Sequence, residues 1–159
     1  MELLLLSNST QFGQPMLAHA AEAISEHIPS KKLLFVPFAL ADHDAYTATV
    51  AAALQPLDIE VVGIHTVRNP ATDIREAGAV YVGGGNSFRL LKTLQERQLL
   101  TTISGAVRDG ARYMGASAGS NLACPTIRTT NDMPIVQPDN FDALNLINFQ
   151  INPHFVATD

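Results

Sequence analysis

Residues 112–119 of this chain read RYMGASAG. An apolar stretch of strand length runs into the pattern G-x-S-x-G, and the residues after Ser117 are compatible with a helix. A sharp turn from strand to helix needs small neighbours, because a bulky side chain at position 115 or 119 would clash across the turn. The stretch therefore predicts a buried strand over residues 112–116 that ends at a sheet edge and turns directly into a helix.

Four other short apolar runs precede this one, at residues 3–6, 33–36, 59–62 and 79–82. Segments of helical length separate them, and the first is predicted to begin at Pro15 with Leu17, Ile24 and Ile28 on its inner face. Strands that alternate with helices predict βαβ units and a mainly parallel sheet with right-handed crossovers. The predicted fold class is α/β, a doubly wound sheet flanked by helices, with a late strand-like segment at residues 146–151.

Composition limits the classes of protein that fit. A length of 159 residues predicts one domain, and the charged share of 16% is well below the roughly 25% that is typical. A net charge of −5 without a basic run argues against nucleic-acid binding, and no apolar run reaches the roughly 20 residues that cross a membrane. A single cysteine, Cys124, excludes an internal disulfide framework. We expect a cytoplasmic protein with no metal and no cofactor.

Gly83, Gly84 and Gly85 directly follow the fourth apolar run, and Asn86 comes next. Successive glycines let the backbone approach a ligand closely and direct N–H groups at an anion, as in the second half of an oxyanion hole. The alternative is a loop that cradles a phosphate, but the residues lack the Lys-Ser/Thr of a P-loop, and Phe88 replaces the last glycine of G-x-G-x-x-G. Because carboxyl ends of parallel strands share one edge, this loop is expected near Ser117.

The predicted turn would lift Ser117 Oγ above the sheet edge, as in a serine nucleophile, and small residues that simply pack a strand–helix junction are the alternative. A serine nucleophile needs a general base, and the chain has five histidines. His154 is preferred, because Pro153 stiffens the approach to it from the strand-like segment. The other four are predicted at the surface or at the rim of the sheet: His19, His27, His43 and His65. Asp132 lies in a polar segment and is open to three interpretations: an Asx turn before a proline, the acid of a triad, or a carboxylate that binds substrate.

Four blocks carry a resemblance to a known family: residues 1–10, 82–88, 115–134 and 150–155. They closely resemble the peptidase E family, the bacterial α-aspartyl dipeptidases, and residues 121–136 are far more specific than G-x-S-x-G. The resemblance implies a serine peptidase with a flavodoxin-like fold, related to class I glutamine amidotransferases, that removes an N-terminal aspartate from Asp-X dipeptides.

The resemblance also implies roles for individual residues. Ser117 is the expected nucleophile, His154 the base, and the N–H groups of Gly85 and Ala118 the oxyanion donors. Asp132 is expected at the active site as the third catalytic residue, and we also expect its carboxylate to meet the α-amino group of the substrate. Two further substrate contacts are predicted: Asn86, and Arg128 for the aspartyl carboxylate, with a structural ion pair as the alternative for Arg128.

One departure from the family concerns length. The chain stops at Asp159, whereas the family's members run further and place their third triad member, a glutamate, downstream of the histidine. We therefore expect a C-terminally truncated piece of a longer enzyme.

Three alternatives stay open on the sequence alone. The chain could be a cyanophycinase-like hydrolase of isopeptide bonds, a flavodoxin-like module that binds an anion or a nucleotide without catalysis, or an inactive fragment. The expected partner is a small peptide, and a homodimer stays open.

Overall fold

Five parallel strands form the central sheet in the computed structural model, which describes residues 1–156. The strands are β1 (Leu3–Leu6), β2 (Lys32–Val36), β3 (Glu60–Gly63), β4 (Ala79–Val82) and β5 (Arg112–Ala116). Their order across the sheet is β1-β5-β4-β2-β3, and all four neighbouring pairs are parallel. The α/β fold class is confirmed, and each of the five strands lies within one residue of its predicted bounds.

Six α-helices within residues 1–156 cover the two faces of this sheet. They are α1 (Ala21–His27), α2 (His43–Leu54), α3 (Pro70–Ala77), α4 (Ser87–Glu96), α5 (Leu100–Arg108) and α6 (Ala118–Leu122). Helices α1 and α2 pack on one face, where Phe35, Tyr81 and Met114 belong to the buried cluster. Helices α3 to α6 pack on the other, around Val36, Val82 and other apolar side chains. Burial on both faces explains why the strands are almost continuously apolar.

Two predicted elements are wrong. Pro15 does not begin a helix, because Leu17 adopts a left-handed conformation (φ 62°) and a short 3₁₀ turn, Ala18–Ala20, precedes α1. Residues 146–151 do not form a strand. The N–H groups of Leu146 and Ile147 both donate to Ala123 O, which ties this segment to the end of α6 instead of to a sheet.

The neighbouring strands β4 and β5 bring two loops together at the carboxyl edge of the sheet. The chain leaves β4 through the three glycines into α4, and it leaves β5 through Ser117 into α6. A Cβ atom at Gly84 would lie 3.1 Å from Ser117 Cβ, so the two loops are in direct contact. In open α/β sheets this edge is where ligands bind.

Candidate active site

Ser117 is the single residue between β5 and α6, and its backbone is strained. Its dihedral angles are φ 52° and ψ −111°, a conformation that side-chain-bearing residues rarely adopt. The turn is tight enough that a Cβ at Gly115 would lie 2.6 Å from the Gly119 backbone, and one at Gly119 would collide with Val82 O. The glycines of G-x-S-x-G therefore provide the space that the turn requires, and the turn places Ser117 at the carboxyl edge of the sheet.

The hydroxyl of Ser117 meets the imidazole of His154. Ser117 Oγ lies 2.6 Å from His154 Nε2, which lets the hydroxyl donate to an unprotonated ring nitrogen. The backbone N–H of His154 donates to Ser7 Oγ at 2.8 Å, just beyond β1, and His154 itself has φ 64°. Within residues 1–156, no hydrogen bond reaches Nδ1 of this ring.

The segment that carries His154 is held at the backbone of Ile151 by three side chains. The Ile151 carbonyl accepts hydrogen bonds from Thr129 Oγ1 at 2.6 Å and from Asn121 Nδ2 at 3.3 Å. Its N–H donates to Cys124 Sγ at 3.2 Å, and burial raises the pKa of that thiol. Cys124 is buried, and its sulfur anchors the backbone three residues before the histidine.

Two backbone N–H groups beside Ser117 are free to bind an oxyanion. In the described part of the chain, neither the N–H of Ala118 nor that of Gly85 donates to another backbone or side-chain atom. Ala118 is the first residue of α6, so its N–H points out of the helix. Gly85 has φ 135°, and a Cβ there would lie 2.6 Å from Ala39 O, so only glycine fits.

Asp132 lines a cavity together with Ser117 and His154, but its carboxylate bonds to Ser87. A cavity of about 60 Å³ is lined by Ser117, His154, Asp132 and six neighbours. The carboxylate oxygen Oδ2 of Asp132 accepts from both the N–H (2.8 Å) and the hydroxyl (2.7 Å) of Ser87. No hydrogen bond between Asp132 and His154 occurs in the described residues, so the carboxylate does not orient the imidazole as a triad acid would.

The two other predicted substrate residues have different surroundings. The Asn86 side chain caps α4, since its Oδ1 accepts from Arg89 N, and its Nδ2 donates to Met133 O at 2.8 Å. The Arg128 guanidinium lies over the Phe141 ring, 5.2 Å from its centroid. It lines a separate cavity of about 220 Å³ that shares only Thr130 with the lining of the Ser117 cavity.

Ser87 and Asn121 also belong to the site, although neither is predicted from the sequence. Asn86 caps α4, and Ser87, the first residue of that helix, anchors Asp132. Asn121 is buried, lines the Ser117 cavity, and its Oδ1 has no hydrogen-bond partner among residues 1–156. Its position one helical turn after Ser117 was the available signal, because residues four apart share a helix face.

The remaining histidines are placed away from this cavity. His27 is half-buried rather than on the surface, and its Nε2–H donates to Tyr113 O at 2.9 Å. Desolvation lowers its pKa. His43 begins α2, and His65 pairs with Asp44 at 2.8 Å.

Residues 1–156 contain no group of three or more metal-ligating side chains. No helix in that range has the length and hydropathy needed to cross a bilayer.

Comparison with known proteins matches this architecture. The model of peptidase family S51 fits residues 3–159. The chain therefore belongs to peptidase family S51. This S51 chain is 54% identical over 160 aligned positions to a peptidase E of Streptomyces coelicolor, covering all of the chain and 66% of that relative. It is 56% identical to a peptidase E of Escherichia coli O1:K1, covering 98% of the chain and 69% of the relative. The chain thus spans about two thirds of the length of these curated relatives.

Solved structures share the fold. A protein of Listeria monocytogenes EGD-e, described as a peptidase E, superimposes with a TM-score of 0.73 at 25% identity, covering 93% of the S51 chain and 76% of that protein. A peptidase from an acI-B1 actinobacterium gives a TM-score of 0.66 at 18% identity over 96% of the chain. The second likeness concerns the fold alone. The relatives named here are peptidases, and the family is one of serine-type hydrolases.

Proposed function

We propose that this chain is a serine peptidase that hydrolyses dipeptides with an N-terminal aspartate through an acyl-enzyme on Ser117. The observation that carries the proposal is the 2.6 Å contact between Ser117 Oγ and His154 Nε2, beside two free backbone N–H groups. His154 accepts the hydroxyl proton as Oγ attacks the aspartyl carbonyl carbon. It then gives the proton to the leaving amine, and water releases aspartate by the reverse steps.

The N–H groups of Gly85 and Ala118 bind the negative charge that develops on the carbonyl oxygen. Each is fixed before the reaction, Ala118 by the start of α6 and Gly85 by the hydrogen bond that the next residue, Asn86, donates from its N–H to Ala39 O at 3.0 Å. Loss of one such donor typically lowers kcat by a factor of about 100 to 1,000. These two donors, with Ser117 and His154, complete the parts that acyl transfer needs from this edge of the sheet.

Hydrogen-bond acceptors in the cavity support a preference for a free α-amino group. Asp132 is half-buried and uses only Oδ2 in its bonds to Ser87, which leaves Oδ1 for a ligand. Asn121 adds, in the same lining, a buried Oδ1 that has no hydrogen-bond partner in the described part of the chain. An ammonium group would satisfy both acceptors and neutralise the carboxylate. We assign this pair to the substrate's N-terminus, which makes the enzyme an exopeptidase.

The aspartyl side chain needs a cation, and Arg128 is the residue that we assign to it. Its guanidinium is stacked on Phe141 and not paired with a carboxylate in residues 1–156. Thr130 lines both the Arg128 cavity and the Ser117 cavity, so the two adjoin each other. Replacing Arg128 by Met would keep the stacking volume and remove the charge, so KM for Asp-Leu should rise more than kcat falls.

The test compares four substrates: Asp-Leu, its N-acetyl derivative, the β-aspartyl isomer and Ala-Leu. We expect turnover of Asp-Leu, little of the other three, and none with Ser117→Ala, whose fold is checked by circular dichroism and thermal unfolding. Asp132→Asn should raise KM for Asp-Leu and reduce discrimination against the acetylated substrate. Preference for the β-aspartyl isomer would instead indicate an isopeptide hydrolase, and turnover by Ser117→Ala would refute the mechanism.

A further inference from the structure

The hydroxyl of Tyr46 contacts the loop of residues 83–85 from the face of the sheet opposite to α6. Tyr46 lies on α2, in the layer that does not contain α6, and its hydroxyl donates to Gly84 O at 3.0 Å. The ring is buried and packs edge-on against Phe35, with 4.9 Å between the ring centroids. The hydroxyl is therefore held by the core, and it is the only side-chain donor to Gly84 O among the described residues.

The Gly84 carbonyl belongs to the same planar peptide as the Gly85 N–H. No cis peptide occurs in the described residues, and in a trans peptide the C=O and the N–H point in opposite directions. A hydrogen bond that holds the carbonyl toward α2 thus directs the Gly85 N–H away from α2. That N–H has no partner within residues 1–156, and its loop touches Ser117.

The sequence leaves room for this contact at Gly83. A Cβ there would lie 2.5 Å from Tyr46 Oη and 2.9 Å from the Phe35 ring. The loop is held at a second point as well, because Asn86 N donates to Ala39 O at 3.0 Å. The first glycine therefore admits the phenol, and the third allows the backbone to pass Ala39.

We propose that Tyr46 is a positioning residue of the oxyanion hole, whose hydroxyl orients and polarises the Gly84–Gly85 peptide so that the Gly85 N–H faces the reacting carbonyl oxygen. A hydrogen bond to the carbonyl draws electron density from the amide and makes its N–H a stronger donor. Burial raises the pKa of Tyr46 to about 12, so the hydroxyl keeps its proton at neutral pH. This inference rests on the proposed acyl transfer at Ser117.

The variant Tyr46→Phe removes the hydroxyl and keeps the ring. Tyr81→Phe is the matched control, because Tyr81 is buried in the same cluster, 5.1 Å from the Phe35 ring, and its hydroxyl has no partner in the described residues. For Tyr46→Phe we expect kcat for Asp-Leu to fall roughly 10- to 100-fold while KM changes less than about twofold. Tyr81→Phe should leave both constants within about twofold of the unmodified chain.

A transition-state mimic separates positioning from general loss of structure. The boronic acid analogue of aspartate forms a tetrahedral adduct on serine, with an anionic oxygen where the oxyanion would lie. Its affinity should fall in Tyr46→Phe by about the same factor as kcat, because both depend on the Gly85 N–H.

Unchanged kcat and boronate affinity in Tyr46→Phe would overturn the role of Tyr46 and leave the proposed peptidase activity standing. An equal loss in Tyr81→Phe, or a change in KM alone, would overturn it too. An unmodified chain that neither hydrolyses Asp-Leu nor binds the boronate would reject the proposed function, and this inference with it.

Discussion

Ser117 and Gly85 lie at the ends of β5 and β4, whereas His154 and Asp132 lie on residues 125–156, which have no helix or strand beyond one bridge between Thr126 and Asp142. The first pair is positioned by backbone ladders and by cores on both faces of the sheet. The second pair is positioned by bonds from individual side chains, such as that from Thr129 to Ile151 O.

The comparison shows that the two pairs of residues are held in place by different means. The nucleophile and the oxyanion donors depend on strained or closely packed backbone, which a sheet edge can hold rigidly. The base and the acidic group need only their side-chain ends placed, and a few hydrogen bonds to irregular backbone achieve that. Substitutions that disturb the backbone at the strand ends should therefore chiefly lower the free energy of unfolding. Substitutions in the irregular segment should chiefly lower kcat.

The largest effect is expected at the turn between β5 and α6, from Gly119→Ala. Its new Cβ would collide with Val82 O, so we expect the free energy of unfolding to fall by roughly 3 kcal/mol. Gly105→Ala is the control, because nothing lies within 4 Å of a Cβ at that position of α5. That variant should gain about 0.5–1 kcal/mol from helix propensity. Urea unfolding measures the free energy of unfolding of both variants. Equal values for the two would contradict the tight packing assigned to the turn between β5 and α6.

A smaller and different effect is expected in the irregular segment, from Thr129→Val. The variant removes the hydroxyl that donates to the carbonyl oxygen of Ile151, three residues before His154. The same hydroxyl accepts a hydrogen bond from Asn121 Nδ2, which is lost as well. We expect kcat to fall about tenfold and the free energy of unfolding by about 1–2 kcal/mol.

Thr49→Val is the matched control, since that hydroxyl bonds only within its own helix, to Ala45 O. It should leave kcat unchanged. If Thr129→Val kept full kcat, the segment would not depend on this contact, and the division between the two regions would fail.

The regular half of the structure was predictable because its signals are local. The five apolar runs, the glycines at 83–85 and the small residues around Ser117 each determine their own backbone conformation. The same pattern reasoning gave a strand at residues 146–151, because an apolar run does not reveal whether a strand partner is available. There, bonds such as that from Ile151 N to Cys124 Sγ replace a strand ladder.

The contacts that were missed join residues far apart in sequence. Ser87 bonds Asp132 across 45 positions, and Tyr46 bonds Gly84 across 38. Periodicity carries no information about such pairs, and only the folded sheet brings them together. Asp132 shows the consequence: it lines the Ser117 cavity, but its bonds to Ser87 could not be inferred from the sequence.

The central claim is that His154 activates Ser117 as a nucleophile, and covalent labelling tests it most directly. The chain would be treated with a fluorophosphonate, followed by intact-mass measurement and peptide mapping. We expect one phosphonyl group per chain, on Ser117, and none on Ser117→Ala. His154→Ala should react at least roughly 100-fold more slowly while remaining folded. Labelling at another residue, or an unchanged rate in His154→Ala, would contradict the account.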